Sequence, residues 1–140
     1  MTAQSTLRFA QFNLSLAGRK VGDIKSQMLA STPSRQIKNL AATLQRVRPD
    51  VVVLCEFDHP GNGGDDGALA AFCERHLAEP QHGETPIDYP YRYLPATNTG
   101  LTLTVPVSEQ QHVTDAQQCH GFGHYHGQFG FVIISRYPIE

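Results

Sequence analysis

Residues 51–59 read VVVLCEFDH, an unbroken apolar run that turns abruptly into charged side chains. Because the apolar residues are continuous rather than alternating, the run predicts a strand that is buried on both faces. Cys55, inside the run, is then expected to be a small core residue. At Glu56 either the chain simply leaves the core, or the strand serves to hold a carboxylate in place.

The segments before this strand predict a strand–helix–strand unit. Residues 7–16 alternate in polarity as a strand does, and Pro33 can open a helix that ends before Pro49. The apolar residues of that helix recur at three- and four-residue spacing: Ile37, Leu40, Ala41, Leu44 and Val47. This order predicts a right-handed crossover between parallel strands. Asn13 and Glu56 should therefore face one crevice at the carboxyl edge of the sheet, where open α/β sheets bind ligands.

The rest of the chain predicts further elements of a mixed α/β (α+β) fold. An aspartate of the turn at 61–67 should cap a helix over 68–77. Strands are expected at 91–96 and 129–139, with a long polar surface loop over 97–127 between them.

Composition narrows the class of protein. The 140 residues are 40% hydrophobic and 17% charged, which is typical of one globular domain. A net charge of -2 provides no general attraction to nucleic acid. No apolar stretch approaches the roughly 20 residues that cross a bilayer, and no signal peptide is present in the chain as given. A disulfide between Cys73 and Cys119 is left open, because sequence alone cannot establish it.

Two groups of residues are candidates for metal chemistry. Burying Glu56 unpaired is costly, so a cation or hydrogen-bond donors are expected beside it, and Mg²⁺ takes one or two carboxylates. The alternative is a solvated carboxylate without a role. The second group lies in one glycine-rich stretch and could hold zinc: Cys119, His120, His124 and His126, with His112 upstream. His120 and His124 form half of a zinc pattern that no cysteine pair completes, and His124 or His126 could instead contact a substrate.

Three segments in order resemble the endonuclease/exonuclease/phosphatase superfamily of metal-dependent phosphoesterases: LRFAQFNLSL, RVRPDVVVLCEFD and GQFGFVIISRYPI. The resemblance implies a two-sheet α/β sandwich and hydrolysis of a phosphate ester by an activated water. Glu56 would hold Mg²⁺ or Mn²⁺, and Asn13 would support the site as a further ligand or hydrogen-bonding group. Asp58 would begin a loop or act behind the site.

Two motifs of that superfamily, Asp-x-Asn and a closing Ser-Asp-His, have no counterpart here. Residues 1–140 are therefore expected to form one incomplete domain, the N-terminal half of the sandwich, without activity alone. Its apolar sheet face should be covered by the C-terminal half of the same domain or by self-association. A narrower likeness, in EFDH, DYPYRY and GFGHYHGQFG, implies export to the periplasm or outside the cell. A catalytically silent binding module and a zinc-binding domain remain as alternatives.

Overall fold

The computed structural model describes residues 6–105 and 113–140, which form a four-stranded mixed sheet with helices against one face. The strands are β1 (Phe9–Leu16), β2 (Val51–Phe57), β3 (Tyr91–Tyr93) and β4 (Phe131–Ser135). Their order across the sheet is β1-β2-β4-β3. The mixed α/β (α+β) class expected from the sequence is confirmed.

The pairing of β1 with β2 is parallel, as the strand–helix–strand pattern predicts. The connection carries two helices, α1 (Asp23–Leu29) and α2 (Arg35–Val47). Helix α2 begins two residues after Pro33, because Ser34 is its N-cap and accepts a hydrogen bond from the amide of Ile37 over 3.2 Å. Strand β4 pairs antiparallel with both β2 and β3.

The helix after β2 is α3 (Ala68–Ala71), which continues as a π-helical turn over Phe72–Leu77. The N-cap residue is Gly67 rather than an aspartate, but the carboxylate of Asp65, two residues before it, accepts from the amides of Leu69 and Ala70. No helix in the two described ranges is both long and apolar enough to cross a membrane.

The described part of the predicted long loop contains more regular structure than its composition indicates. It contains a 3₁₀ helix, α4 (Asp115–Gln118), and two isolated bridges that pair Thr99 with Gly121 and Thr102 with Cys119. Gly100 allows the two arms to approach, because a Cβ there would lie 1.9 Å from the carbonyl oxygen of Tyr125. The loop therefore folds back on itself beside the sheet.

The core lies between the helices and the face of the sheet formed by alternate strand residues. Its strand members are fully buried: Leu14, Leu16, Val52, Leu54, Val132 and Ile134. Helix α2 contributes Ile37, Ala41 and Leu44 from the predicted stripe. Burial of each large side chain of this kind stabilises a fold by about 1.5–3 kcal/mol.

The opposite face of the sheet is open, which corrects the expectation that β2 is buried on both faces. Val51, Val53 and Cys55 are half-buried, so Cys55 is not a core residue. The aromatic side chains of the same face are exposed: Phe9, Tyr91, Tyr93 and Phe131. The physical reason is that the described helices pack on one side only, so residues of the run alternate between core and open face.

Candidate functional site

The structure brings together the two polar residues that the sequence places at one sheet edge. Asn13 pairs with Cys55 in the β1–β2 register, and Glu56 follows at once. Nδ2 of Asn13 donates to Oε1 of Glu56 over 2.7 Å. The expected proximity of the two side chains is confirmed, whereas their role remains a prediction.

Glu56 reaches this position through a left-handed backbone conformation, with φ of 52°. Strict alternation after the buried Leu54 would direct Glu56 toward the helices and Phe57 away from them. Instead Glu56 is half-buried and Phe57 is fully buried, so one residue resets the alternation. Left-handed conformations are costly for residues other than glycine and are concentrated at functional sites.

The neighbouring strand is irregular at the same level. The register of β1 against β2 shifts between Asn13 and Leu16, and Ser15 also has a positive φ, 51°. The amide of Ser15 donates to Oδ1 of Asn13 over 2.9 Å, and Nε2 of Gln36 donates to the carbonyl of Ser15 over 2.9 Å. These bonds fix the Asn13 amide so that its nitrogen faces Glu56.

The donor set fits a hard divalent cation. Within residues 6–105 and 113–140, no lysine or arginine forms an ion pair with Glu56, so this half-buried carboxylate lacks a compensating charge. The same residues contain no group of three or more His, Cys, Asp and Glu side chains that could together hold a metal. A single carboxylate with waters as the remaining ligands suits a hard divalent cation better than zinc.

Asp58, two residues after Glu56, is a buried hydrogen-bond acceptor for three separate groups. Its Oδ2 accepts from the amide of Gly18 over 2.7 Å and from the hydroxyl of Tyr125, and its Oδ1 accepts from the amide of Phe129 over 2.8 Å. Burial raises the pKa of Tyr125, and the hydrogen bond to Asp58 raises it further. Asp58 thus joins the β1–α1 loop to the segment before β4, which is more than the loop-start role expected from sequence.

Gln128 makes a second connection between the same segments. It is buried, its Nε2 donates to the carbonyl of Gly18 over 2.8 Å, and its Oε1 accepts from the amide of His124 over 2.7 Å. Sequence reasoning missed both Tyr125 and Gln128. Their only local signal is that they lie in a glycine-rich stretch just before a strand.

The two histidines considered for substrate contact lie in different surroundings. His124 is exposed and its ring packs edge-on against Phe122 at 5.5 Å. His126 packs over Gly61, where a Cβ would lie 2.2 Å from the ring, and its Nε2 donates to the carbonyl of Thr97 over 2.7 Å. His126 therefore holds the loop together.

The Cys/His stretch does not converge on a zinc site in the part of the chain that the structure describes. Cys119 directs its thiol to the carbonyls of Asp115 and Gly123, and His120 is exposed. His112 lies outside the described residues. Cys73 and Cys119 are both free thiols, so the disulfide left open by the sequence is not formed here.

His59 packs beneath the start of β4. It is buried, Nδ1 donates to the carbonyl of Pro60 over 2.8 Å, and Nε2 has no partner among the described residues. A Cβ on Gly130 would lie 2.7 Å from this Nε2, so the contact requires glycine there. The close packing holds the segment before β4 against the end of β2.

Comparison with known proteins gives one match. The family model described as Endonuclease/Exonuclease/phosphatase family matches residues 10–140. No curated protein and no solved structure matches the chain. The matched range includes Asn13, Glu56, Asp58 and Gln128, and so contains the whole arrangement described above.

Proposed function

Since the chain belongs to the endonuclease/exonuclease/phosphatase family, we propose that the full-length protein is a phosphoesterase that hydrolyses a phosphate ester with an activated water. Members of the family act in general on phosphate esters and typically depend on divalent metals. The observation that carries the proposal is the contact between Asn13 and Glu56, an uncompensated carboxylate and a fixed amide at the carboxyl edge of parallel strands.

Each of the two residues has a distinct task in this proposal. Glu56 holds Mg²⁺, or Mn²⁺, which when bound stabilises negative charge on the phosphoryl oxygens and on the leaving group. Asn13 orients the carboxylate through Nδ2, while its Oδ1 accepts from the amide of Ser15 and so fixes the amide group. The rigid strand pair keeps both side chains in place before substrate arrives, which reduces the cost of ordering them.

The open sheet face supports a proposal about the rest of the domain. Phe9 is 69% exposed and Tyr93 50% exposed on that face, a larger apolar surface than isolated exposed residues create. We propose that the C-terminal half of the same domain covers it with a second sheet, and that residues 1–140 alone are inactive. Self-association of this chain would be the other way to cover the face.

The test compares variants of the full-length gene product in Mg²⁺ with a generic phosphodiester and a phosphomonoester. Because a catalytic metal contributes several kcal/mol, Glu56→Gln is expected to lower kcat/KM by roughly a hundredfold or more. Glu79→Gln, the same change at an exposed glutamate away from the site, is the matched control and should retain activity. Mn²⁺ binding, followed by electron paramagnetic resonance, should weaken in Glu56→Gln only.

Two results would change the proposal. Full activity in Glu56→Gln would show that the site is assigned wrongly. A wild-type protein that hydrolyses neither ester and binds no Mn²⁺ would favour the catalytically silent binding module.

A further inference from the structure

A pocket of about 490 Å³ opens beside Ser15, the residue whose amide donates to Asn13. Its walls come from the end of β1, from the β1–α1 loop and from the segment before β4: Ser15, Ala17, Gly18, Arg19, His124, Gln128 and Phe129. Ser15 connects the two places, because its amide donates to Oδ1 of Asn13 and the same residue lines the pocket. Ser15 therefore links the pocket to the Asn13 side of the pair.

The two walls are held together by buried polar side chains. Gln128 is 4% exposed and Asp58 8% exposed, and each bonds Gly18 on one wall and the segment 124–129 on the other. Burying polar side chains of this kind costs free energy unless their hydrogen bonds are formed. The relative position of the two loops in which these bonds form is therefore strongly favoured. The pocket is thus a fixed feature of the fold.

The charge of the pocket has one sign. Among the described residues, the ionisable side chains that line it are Arg19 and His124, and none of them is a carboxylate. The backbone of Arg19 is fixed by a hydrogen bond of 2.9 Å from its amide to Oδ2 of Asp23, whereas its exposed guanidinium bonds no described residue. The negative charge of Asp58 lies behind the wall, engaged by its three donors.

We propose that this pocket binds a second phosphate group of the substrate, with Arg19 and His124 as its ligands. The inference rests on the proposed function, since the first phosphate is the one that Asn13 and Glu56 would address. Guanidinium and imidazole groups are suited to phosphate oxygens, and a planar guanidinium can bind two of them together. The substrate class is accordingly a phosphate ester that carries a further phosphate.

Binding of two small probes tests the proposal without requiring turnover. Ethyl phosphate and ethane-1,2-diyl bisphosphate are titrated into the full-length protein in excess Ca²⁺, which takes oxygen ligands as Mg²⁺ does, and dissociation constants are measured by NMR, which also shows that both probes stay intact. Wild type should bind the bisphosphate roughly fivefold to tenfold more tightly, the increment expected from one solvent-facing charged contact together with the duplicated phosphate. Arg19→Gln should remove the charged part of this preference, and His124→Gln should reduce it.

Lys20→Gln is the matched control, because it removes the same charge from the adjacent exposed residue, which does not line the pocket. A wild-type preference of about two, which duplication of the phosphate alone would produce, overturns the proposal. An equal loss in Lys20→Gln and Arg19→Gln also overturns it, since the effect would then reflect overall charge. Loss of hydrolysis in Glu56→Gln supports the catalytic proposal, whereas loss of the preference for the bisphosphate in Arg19→Gln supports this one. The two proposals can therefore fail separately.

Discussion

Asn13 donates a hydrogen bond to Glu56 over 2.7 Å although 43 positions separate the two residues in the chain. Parallel pairing of β1 with β2 creates this contact, and a left-handed backbone at Glu56 directs its side chain to the open face. The geometry of the site therefore depends on backbone conformations that are unfavourable in isolation and are stabilised by the surrounding sheet.

Replacing Glu56 should separate function from stability. With φ of 52° at this position, Glu56→Gly removes the cost of a left-handed residue, whereas Glu56→Ala retains it. We expect Glu56→Gly to be more stable than Glu56→Ala by about 1 kcal/mol in the free energy of unfolding, with both variants inactive. Urea denaturation of the two proteins measures the difference. Equal stabilities would indicate that the backbone at this residue is unstrained.

Asp58 should contribute substantially to stability through its three donors. Tyr125→Phe removes one of them and is expected to cost about 1 kcal/mol. Asp58→Ala leaves the amides of Gly18 and Phe129 without their acceptor and should cost about 3 kcal/mol. The control Asp88→Ala, at an exposed aspartate, should stay within about 0.5 kcal/mol of wild type. If Asp58→Ala is as stable as this control in urea denaturation, the three hydrogen bonds that Asp58 accepts do not stabilise the fold.

Stability should fall in mildly acidic solution because of His76. Burial lowers the pKa of this histidine below its ordinary value of 6.5, and the nearby charge of Arg75 lowers it further. A hydrogen bond to the carbonyl of Met28 raises the pKa but does not outweigh burial. As the pH falls to about 6.5, His76 therefore takes up a proton in the unfolded chain but remains neutral in the folded protein. This contribution is fully present above that pH and is lost as the pH falls through the folded pKa.

The measurement is the free energy of unfolding between about pH 7.5 and 5, for wild type and His76→Gln. His76→Gln should show a shallower decline than wild type. His120→Gln, at an exposed histidine, is the control and should follow the wild-type curve. Parallel curves for wild type and His76→Gln would contradict the assignment.

The three cysteines should differ in reactivity. Burial raises the pKa of the Cys73 thiol to about 12, so almost no thiolate is present at pH 8. Iodoacetamide should therefore label the half-buried Cys119 in the native protein and reach Cys73 only after unfolding, whereas Cys55, on the open sheet face, should be labelled only where that face is uncovered. Mass spectrometry of the modified peptides distinguishes these cases. A disulfide-linked peptide containing Cys73 and Cys119 would show that the free thiols described here are not the state in solution.

Much of the framework could be predicted because it depends on local patterns. The apolar stripe of α2 predicts a helix, and a strand on either side of it predicts parallel pairing; both are observed. The turn aspartates before residue 68 predict hydrogen bonds to the first amides of the helix, which Asp65 accepts although Gly67 is the N-cap. From these elements alone the sequence places Asn13 and Glu56 at one edge.

The sequence by itself determined the main strands and helices and the edge of the sheet at which polar residues gather, since hydrophobic periodicity and capping act within a few residues. It did not indicate the 3₁₀ helix within the long loop. Tertiary structure alone decided that Cys55 is half-exposed, that Glu56 adopts a left-handed conformation, and that Asp58 accepts from Gly18 and Phe129. These two donors lie 40 and 71 positions from Asp58. Such contacts depend on which loops meet in space and on which face the helices cover, and no local pattern records either.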